Sequence, residues 1–293
     1  MRDPDCVAFL QWALPRLALR WPGFRKVRRG VCKRVDARIA ALGLAGVAGY
    51  RTHLERTPAE WPVLDELCRI TISCFYRDRG VFDFLGETVL PELARRAQAR
   101  GRRELRAWSV GCASGEEPYT LMLVWRLRVA PRVPDAALHV LATDVDEPVL
   151  ARARAARYAW GSVKELPAEW RARAFEEVGR TYELRAEYRA GVELRAEDVR
   201  VALPAGRFDL ILCRNLAFTY FDEPLQCATL ARLESALLPG GALVIGKSER
   251  LPAGAMRLEP WSAPLGVHRL VEEEGAAAGP GGRTSRASPT TAP

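Results

Sequence analysis

Between Arg102 and about Ile245, short apolar runs alternate with helical patterns. The run LRAWSV precedes a helical pattern from Glu116, HVLATDV precedes one from Glu147, FDLILC precedes one from Glu223, and ALVIG follows. Strands that alternate with helices in this way form a parallel sheet covered by helices on both faces. The pattern therefore predicts an α/β fold.

The chain is long enough to hold a second, smaller domain as well. With 293 residues, 48% of them hydrophobic, it can bury a sizeable core. No apolar run approaches the roughly 18 residues that cross a bilayer. Asp3, Asp5 and Arg16 break up the amino-terminal apolar stretches, which is not the layout of a signal peptide. We therefore expect a cytoplasmic protein with no insertion into the membrane.

Composition and pattern divide the chain into three parts. Residues 1–80 predict a basic helical domain, and residues 81–274 predict the domain that contains the sheet. Apolar residues that suggest short extended segments predict a small antiparallel β insertion around residues 178–196. Residues 275–293 consist mainly of Gly, Ala, Pro, Ser and Thr, which bury too little apolar surface to offset chain entropy. We expect this tail to be disordered.

The net charge of +8 is concentrated near the amino terminus. Between Met1 and Leu64 there are twelve Lys and Arg residues against five Asp and Glu residues. A helix is predicted by an apolar series at helical spacing: Phe24, Val27, Val31, Val35, Ile39 and Leu42. Its other faces carry basic residues: Arg25, Arg28, Arg29 and Lys33. These form either a solvated face or a docking surface for an acidic partner, and charge alone does not decide between the two.

The cysteines and histidines show no pattern of a metal site. Seven cysteines are scattered without a C-x-x-C pair, and the chain has three histidines. We expect neither a zinc site nor a disulfide framework. Free cysteine is often simply a small buried hydrophobic residue, and that is how we interpret these seven.

A glycine turn after the first strand is the first motif with chemical content. In the segment WSVGCASGEEPY, Gly111 and Gly115 permit a sharp turn and close approach of the backbone to a ligand. This is not the G-x-G-x-x-G dinucleotide motif, and Glu116 and Glu117 would repel a pyrophosphate at the start of the following helix. They suit a ligand with a sulfonium and an ammonium group, such as S-adenosylmethionine. Alternatively, both glutamates only complement the helix dipole.

Polar residues also follow the next two strands. Asp144 ends the strand beside the glycine turn, where nucleotide-binding sheets hold ribose hydroxyls, and Asp146 can cap the following helix. Asn215 follows FDLILC, at a strand end where ligands bind in open α/β sheets. We therefore predict that Asp144 binds a ribose and that Asn215 contributes to the same site.

Several ordered motifs between about Phe24 and Pro252 resemble the CheR family of chemoreceptor protein-glutamate O-methyltransferases. They are TISCFYRD, WSVGCASGEEPYTL, ATDVD, FDLILCRN, YFD and LPGGALVIGKSE. The resemblance implies a Rossmann-like S-adenosylmethionine-dependent methyltransferase sheet, an N-terminal helical domain and a small antiparallel subdomain. In some members that subdomain docks to the receptor.

The resemblance also implies site residues. The cofactor-binding positions, with Gly111 from the glycine turn, are Thr71, Ser73, Arg77, Gly111, Glu116, Asp144, Asp198, Val199, Asn215 and Leu216. Arg77 matches the family arginine that lies close to the transferring methyl group, and Tyr220 is placed along the methyl-transfer channel. The two therefore form the expected catalytic pair.

The chain departs from the family pattern at a few positions, as a divergent member would. Thr71 and Ser73 stand where the family often has Asn and Thr, and Asp198-Val199 stands where many members have Asn-Leu. One additional residue separates Asn215 from the Tyr-Phe-Asp motif. We therefore expect a different local turn beside the acceptor pocket.

The reaction predicted from this resemblance is methyl transfer to a glutamate carboxylate of a protein. The expected partner is a methyl-accepting chemoreceptor or a related signalling protein with acidic helices, and we expect neither a metal nor nucleic acid to bind. Two alternatives stay open. The same fold and cofactor can serve another protein or a small carboxylic acid, and a non-catalytic module can keep the fold for binding.

Overall fold

The structure is a computed structural model that describes residues 2–271. In this part of the chain, the strands are β1 (Glu104–Val110), β2 (Ala137–Asp144), β3 (Arg157–Ala159), β4 (Phe175–Val178), β5 (Thr181–Leu184), β6 (Val192–Ala196), β7 (Phe208–Cys213), β8 (Leu237–Ile245), β9 (Leu258–Ser262) and β10 (Val267–Leu270). The tail that we expect to be disordered, residues 275–293, lies outside the described residues.

The helices of the described part are α1 (Asp3–Ala13), α2 (Trp21–Phe24), α3 (Arg28–Ala41), α4 (Gly46–Arg56), α5 (Glu60–Cys68), α6 (Arg79–Phe84), α7 (Leu90–Ala99), α8 (Glu116–Val124), α9 (Glu147–Ala155), α10 (Trp160–Val163), α11 (Ala168–Ala174), α12 (Ala186–Arg189), α13 (Ala217–Tyr220) and α14 (Glu223–Ala236). Short π-helical turns at Leu85–Val89 and Trp125–Val129 follow α6 and α8. No helix among residues 2–271 is both long and apolar enough to cross a membrane.

Seven strands form one sheet in the order β6-β2-β1-β7-β8-β10-β9. The five strands from β6 to β8 run parallel, and β10 and β9 are added antiparallel at one edge. The α/β fold, the three strand-to-helix units and the strand that follows them, all predicted from the sequence, are therefore confirmed. The carboxyl ends of β1, β2, β6 and β7 meet at one edge of the sheet, and this edge is where the functional site forms.

The β insertion differs from its predicted position. A separate antiparallel sheet has the order β3-β5-β4 and lies within residues 157–184. Val192 and Leu194, which we expected in the insertion, belong to β6 and pair in parallel with Val140 and Ala142 of β2. The prediction around 178–196 is wrong in its second half because an alternating apolar pattern predicts a strand but not the strand with which it pairs.

The amino-terminal region is helical, with α1 to α5 packed together. Val31, Val35 and Ile39 are buried along one side of α3, as their spacing predicts. A disulfide joins Cys6 of α1 to Cys32 of α3, with Cα atoms 5.9 Å apart. The expectation that the cysteines are all unpaired is therefore wrong for these two. Their contact arises from the packing of two helices, which the sequence separation of 26 does not reveal.

Two apolar clusters cover opposite faces of the main sheet. One joins the sheet to α7, α8 and the small antiparallel sheet. The other joins it to α14 and to the amino-terminal helices. Because the amino-terminal helices share a core with the sheet, they can contribute side chains to a site at the sheet edge. The division of the chain into domains at residue 80 stays a prediction.

Candidate functional site

A cleft opens at the carboxyl ends of the parallel strands. We call it the first cleft. Eight of the residues predicted from the sequence line it: Thr71, Gly111, Asp144, Asp198, Val199, Asn215, Leu216 and Tyr220. The amino-terminal region adds Leu19 and Phe24 to its wall. Sheet and helical region together therefore enclose the first cleft.

A second cleft adjoins the first. It contains Ser73 and Arg77, and both clefts share the residues Ile70, Gly111, Asn215 and Tyr220. The predicted site residues are thus divided between two connected cavities. Glu116 lines neither of them.

Gly111 brings its backbone close to the side chain of Leu216. Its φ is +70°, and a Cβ atom at this position would lie 2.6 Å from Cδ2 of Leu216. Both the positive φ and the close contact favour glycine over any other residue. The turn predicted after β1 is therefore held tightly against the loop that follows β7.

Asp144 is fixed by two backbone donors. Its Oδ2 accepts a hydrogen bond from the Ala113 N–H at 2.9 Å, and its Oδ1 accepts one from the Asp146 N–H at 2.9 Å. Burial raises the pKa of Asp144 above its usual value, and these two hydrogen bonds oppose that shift. A carboxylate has about four acceptor positions, so further donors such as ribose hydroxyls can still bind. Asp146 caps α9 by accepting from the Val149 N–H, as predicted.

Glu116 lies at the first turn of α8 and is 4% exposed. Its Oε1 is 3.4 Å from the Ser162 hydroxyl, and Oε2 has no hydrogen-bond partner. Burial raises the pKa of Glu116, while hydrogen bonds from Ser162 and Ser73 act in the opposite direction. A buried acceptor without a donor is unfavourable until a ligand supplies one. An ammonium group would do so, and this unpaired oxygen therefore fits S-adenosylmethionine.

Asp198 and Val199 form the far wall of the first cleft. Asp198 Oδ1 accepts from the Arg200 N–H at 2.8 Å and from Arg200 Nε at 3.1 Å. Arg200 also binds Asp65 of α5 at 2.8 and 2.9 Å, and these hydrogen bonds raise its pKa. This network ties the loop after β6 to the amino-terminal helices.

Arg77 lies in the second cleft between two residues with left-handed backbone. The φ angles of Tyr76 and Asp78 are 59° and 58°, which are strained values for residues other than glycine. Arg77 Nη1 donates to the Ile72 carbonyl at 3.1 Å. Within residues 2–271, no carboxylate lies within 4 Å of the Arg77 guanidinium.

Arg214 is a site residue that the sequence analysis did not identify. Its buried guanidinium contacts Glu117 Oε2 at 3.0 Å, Asp78 Oδ2 at 2.7 Å and the Arg77 carbonyl at 3.0 Å. The sequence does contain a signal for this role, because Arg214 directly follows the six buried residues of β7. A buried arginine needs charged or hydrogen-bonding partners. Arg214 thus fixes the backbone that carries Arg77.

Glu249, the last residue of the motif LPGGALVIGKSE, is a second site residue to which the sequence analysis assigned no role. Its carboxylate accepts from the Asn215 N–H at 2.9 Å, the Gly246 N–H at 2.5 Å and the Thr219 hydroxyl at 2.5 Å. Burial raises its pKa, and these three donors oppose the shift. Glu249 therefore joins the loops after β7 and β8 and holds Asn215 in its left-handed conformation, with φ 56°.

Tyr220 stands where the two clefts meet. Its ring packs edge-on against Phe24 with ring centres 5.1 Å apart, and burial raises the pKa of its hydroxyl group.

Across residues 2–271, no group of three or more His, Cys, Asp and Glu side chains is arranged to hold a metal ion.

Comparison with known proteins agrees with this geometry. Residues 72–265, well over half of the chain, match the family model described as CheR methyltransferase, SAM binding domain. The chemotaxis protein methyltransferase of Listeria innocua is 36% identical over 192 residues, which cover 64% of this chain and 70% of the relative. Chemotaxis protein methyltransferase 2 of Pseudomonas aeruginosa is 33% identical over 226 residues, covering 75% of this chain and 77% of the relative. This chain belongs to the CheR family of S-adenosylmethionine-dependent methyltransferases.

Proposed function

We propose that this protein transfers the methyl group of S-adenosylmethionine to the side-chain carboxylate of a glutamate in a chemoreceptor. The observation that carries the proposal is the meeting of two clefts at Gly111, Asn215 and Tyr220. One cleft contains fixed carboxylates suited to a cationic nucleoside, and the other contains the guanidinium of Arg77. A methyl donor and an anionic acceptor can therefore approach each other at the shared residues.

In the first cleft, the residues of this chain bind and orient the cofactor. Asp144 accepts hydrogen bonds from the ribose hydroxyls. Glu116 lines neither cleft, and its unpaired oxygen would receive the ammonium group from its buried position at the start of α8. Asn215, Leu216, Asp198 and Val199 enclose the remaining part. When bound, the cofactor supplies an electrophilic methyl group.

In the second cleft, Arg77 orients the acceptor carboxylate through charge-assisted hydrogen bonds. A glutamate is already ionised near pH 7, so no general base has to remove a proton. The contribution of the protein is then orientation of the two reactants, which can supply about 7–11 kcal/mol of a barrier in favourable cases, together with exclusion of water. Tyr220 lines the passage between the two clefts.

The acceptor that we propose is a glutamate on an acidic helix of the receptor. The relatives named above are chemotaxis protein methyltransferases. The excess of Lys and Arg in the amino-terminal region suits an acidic surface. We assign the reaction to the cytoplasm, as expected from the sequence.

The proposal is tested by labelling. The full-length protein is incubated with cofactor labelled in the methyl group and with a purified cytoplasmic receptor fragment. We expect label on the fragment that alkali releases as volatile methanol, because carboxyl methyl esters hydrolyse in base and N-methyl groups do not. A receptor fragment whose acceptor glutamates are replaced by alanine serves as the matched control. Base-stable label on the fragment would overturn the proposal. So would a parallel reaction with a small carboxylic acid added in which only that acid is labelled.

A further inference from the structure

The short helix α13 carries Tyr220 and ends in carbonyl groups that have no partner within the helix. The last carbonyls of any helix lack such donors. Here one residue of the amino-terminal region satisfies three of them. Arg20 Nε donates to the Thr219 carbonyl at 3.1 Å, Arg20 Nη2 donates to the Phe218 carbonyl, and the Arg20 N–H donates to the Tyr220 carbonyl at 2.8 Å.

The chain around Arg20 follows the same loop on both sides. Leu19 forms an antiparallel bridge with Phe221, and the Asp222 N–H donates to the Ala18 carbonyl at 2.9 Å. A Cβ atom on Gly23 would lie 2.2 Å from the Thr219 carbonyl oxygen, so the two backbones touch. Segment 18–24 is therefore fitted against the loop that contains Tyr220.

Glu249 holds the other side of the same loop. It binds the Thr219 hydroxyl and the Asn215 N–H, as described above. Between these two attachments the ring of Tyr220 contacts Phe24 and separates the two clefts. The position of the ring thus depends on an amino-terminal segment almost 200 residues away in sequence.

We propose that Arg20 is a positioning residue that fixes Tyr220 at the junction of the two clefts by capping α13. This inference rests on the proposed function in one respect only, namely that Tyr220 lines the path of methyl transfer. A guanidinium suits the role because its planar array of donors can bind two carbonyls at once. A lysine has one flexible ammonium group and cannot reproduce that geometry.

A double-mutant cycle on turnover tests the inference. If Arg20 acts through Tyr220, Arg20→Ala should lower kcat about tenfold in the wild-type background, since a small misplacement in a site can cost up to 10²-fold. In the Tyr220→Ala background the same change should lower kcat by less than about twofold. Arg20→Lys should restore part of the loss. Equal effects in both backgrounds would overturn the inference.

Arg16→Ala is the matched control for this cycle. Arg16 donates to the Trp12 carbonyl and stacks on the Trp12 ring, and within residues 2–271 it forms no hydrogen bond with α13. It should leave kcat unchanged. Thermal unfolding of each variant separates loss of fold from loss of positioning. If Arg20→Ala lowers Tm more than the control does, Arg20→Gln replaces it in the cycle.

A second readout does not depend on methyl transfer. The chain has seven tyrosines. In protein labelled with 3-fluorotyrosine, the Tyr220 fluorine signal is assigned from its loss in Tyr220→Phe. Arg20→Ala should shift or broaden this signal and leave the other six unchanged, whereas Arg16→Ala should change none. An unaltered Tyr220 signal would overturn the inference, even if the protein methylated no receptor. If the wild-type protein transfers no methyl group but the Tyr220 signal still responds to Arg20→Ala, the result contradicts only the proposed function.

Discussion

The carboxylate of Asp78 lies 2.7 Å from the guanidinium of Arg214, and not against its neighbour Arg77. This pairing excludes the simplest non-functional interpretation of Arg77, an exposed arginine neutralised by the next residue. Glu117 and the Arg77 carbonyl complete the contacts of Arg214. Arg77 is consequently held by its backbone while its side chain faces the second cleft.

Arg77→Ala should impair catalysis and leave cofactor binding nearly intact. Because its proposed role is to orient the acceptor, kcat for receptor methylation should fall about 10²-fold, with little change in the Kd of S-adenosylmethionine. Steady-state kinetics and calorimetry give the two values. Arg79→Ala is the control, since Arg79 is exposed and pairs with Asp83. Equal proportional losses of affinity and kcat would show that Arg77 binds the cofactor instead.

Removal of the Arg214 side chain should destabilise the whole fold. Arg214→Ala leaves the carboxylates of Glu117 and Asp78 close together without their cation, and breaking a buried pair in this way costs about 3–5 kcal/mol. Urea unfolding measures the loss. Arg195→Ala, which removes an exposed pair with Glu193, should change the free energy of unfolding far less. Similar values for both variants would show that the ion pairs of Arg214 with Glu117 and Asp78 stabilise the fold no more than an exposed pair does.

Much of this architecture could be predicted from the sequence, because it depends on local patterns. The β1 and β2 runs and the turns at Gly111 and Asp144 follow from periodicity and motif spacing alone. The membership of β6 in the main sheet could not be predicted, since alternation does not specify the partner strand. The contacts of Arg214 and Arg20 could not be predicted either. They join residues at least 97 positions apart in the sequence, and only the folded chain brings these together.

Asp144→Ala should weaken the binding of S-adenosylmethionine and of its demethylated product. The loss of a buried acceptor for the ribose hydroxyls corresponds to about 1–3 kcal/mol. Calorimetry with both ligands measures it. Asp146→Ala is the control, because it removes the α9 cap at a cost of about 1 kcal/mol in stability but keeps the N–H that binds Asp144. Unchanged affinity in Asp144→Ala would remove Asp144 from the cofactor site.

Cofactor affinity should depend on pH through Glu116. In the free protein, burial raises the pKa of Glu116 above its usual value of 4.5. The contribution of Glu116 to the free energy of unfolding is therefore complete below pH 4.5 and is lost as the pH rises through the raised pKa. A bound ammonium favours the ionised form. Affinity for S-adenosylmethionine should therefore increase with pH over that interval and then level off.

Two controls isolate this effect. Glu116→Gln should bind more weakly, and its Kd should not change over the same pH interval. Methylthioadenosine, which lacks the ammonium group, should show no such dependence with the wild-type protein. If the profile persists in Glu116→Gln, another group is responsible, and the assignment of Glu116 to the ammonium is wrong.

The basic surface of the amino-terminal region should accelerate receptor methylation at low ionic strength. Arg28 is paired with Asp3 at 2.9 Å, so the charges available for docking are those of exposed neighbours such as Arg25, Arg29 and Lys33. Reversing these three to Glu should slow methylation, and the effect should vanish as the screening length shortens to roughly 3 Å at 1 M salt. Cofactor affinity should not change. A wild-type rate at low salt would identify these residues as an ordinary solvated face.

The identity of the methylated atom tests the proposed reaction most directly. A chemoreceptor cytoplasmic fragment is incubated with S-adenosylmethionine and the wild-type protein, digested, and sequenced by tandem mass spectrometry. We predict methyl groups on glutamate side chains, and a much smaller yield at the same positions with Arg77→Ala. Methylation of lysine, arginine or another nitrogen, or an unmodified receptor in the presence of a protein that binds the cofactor, would contradict glutamate methylation by this enzyme.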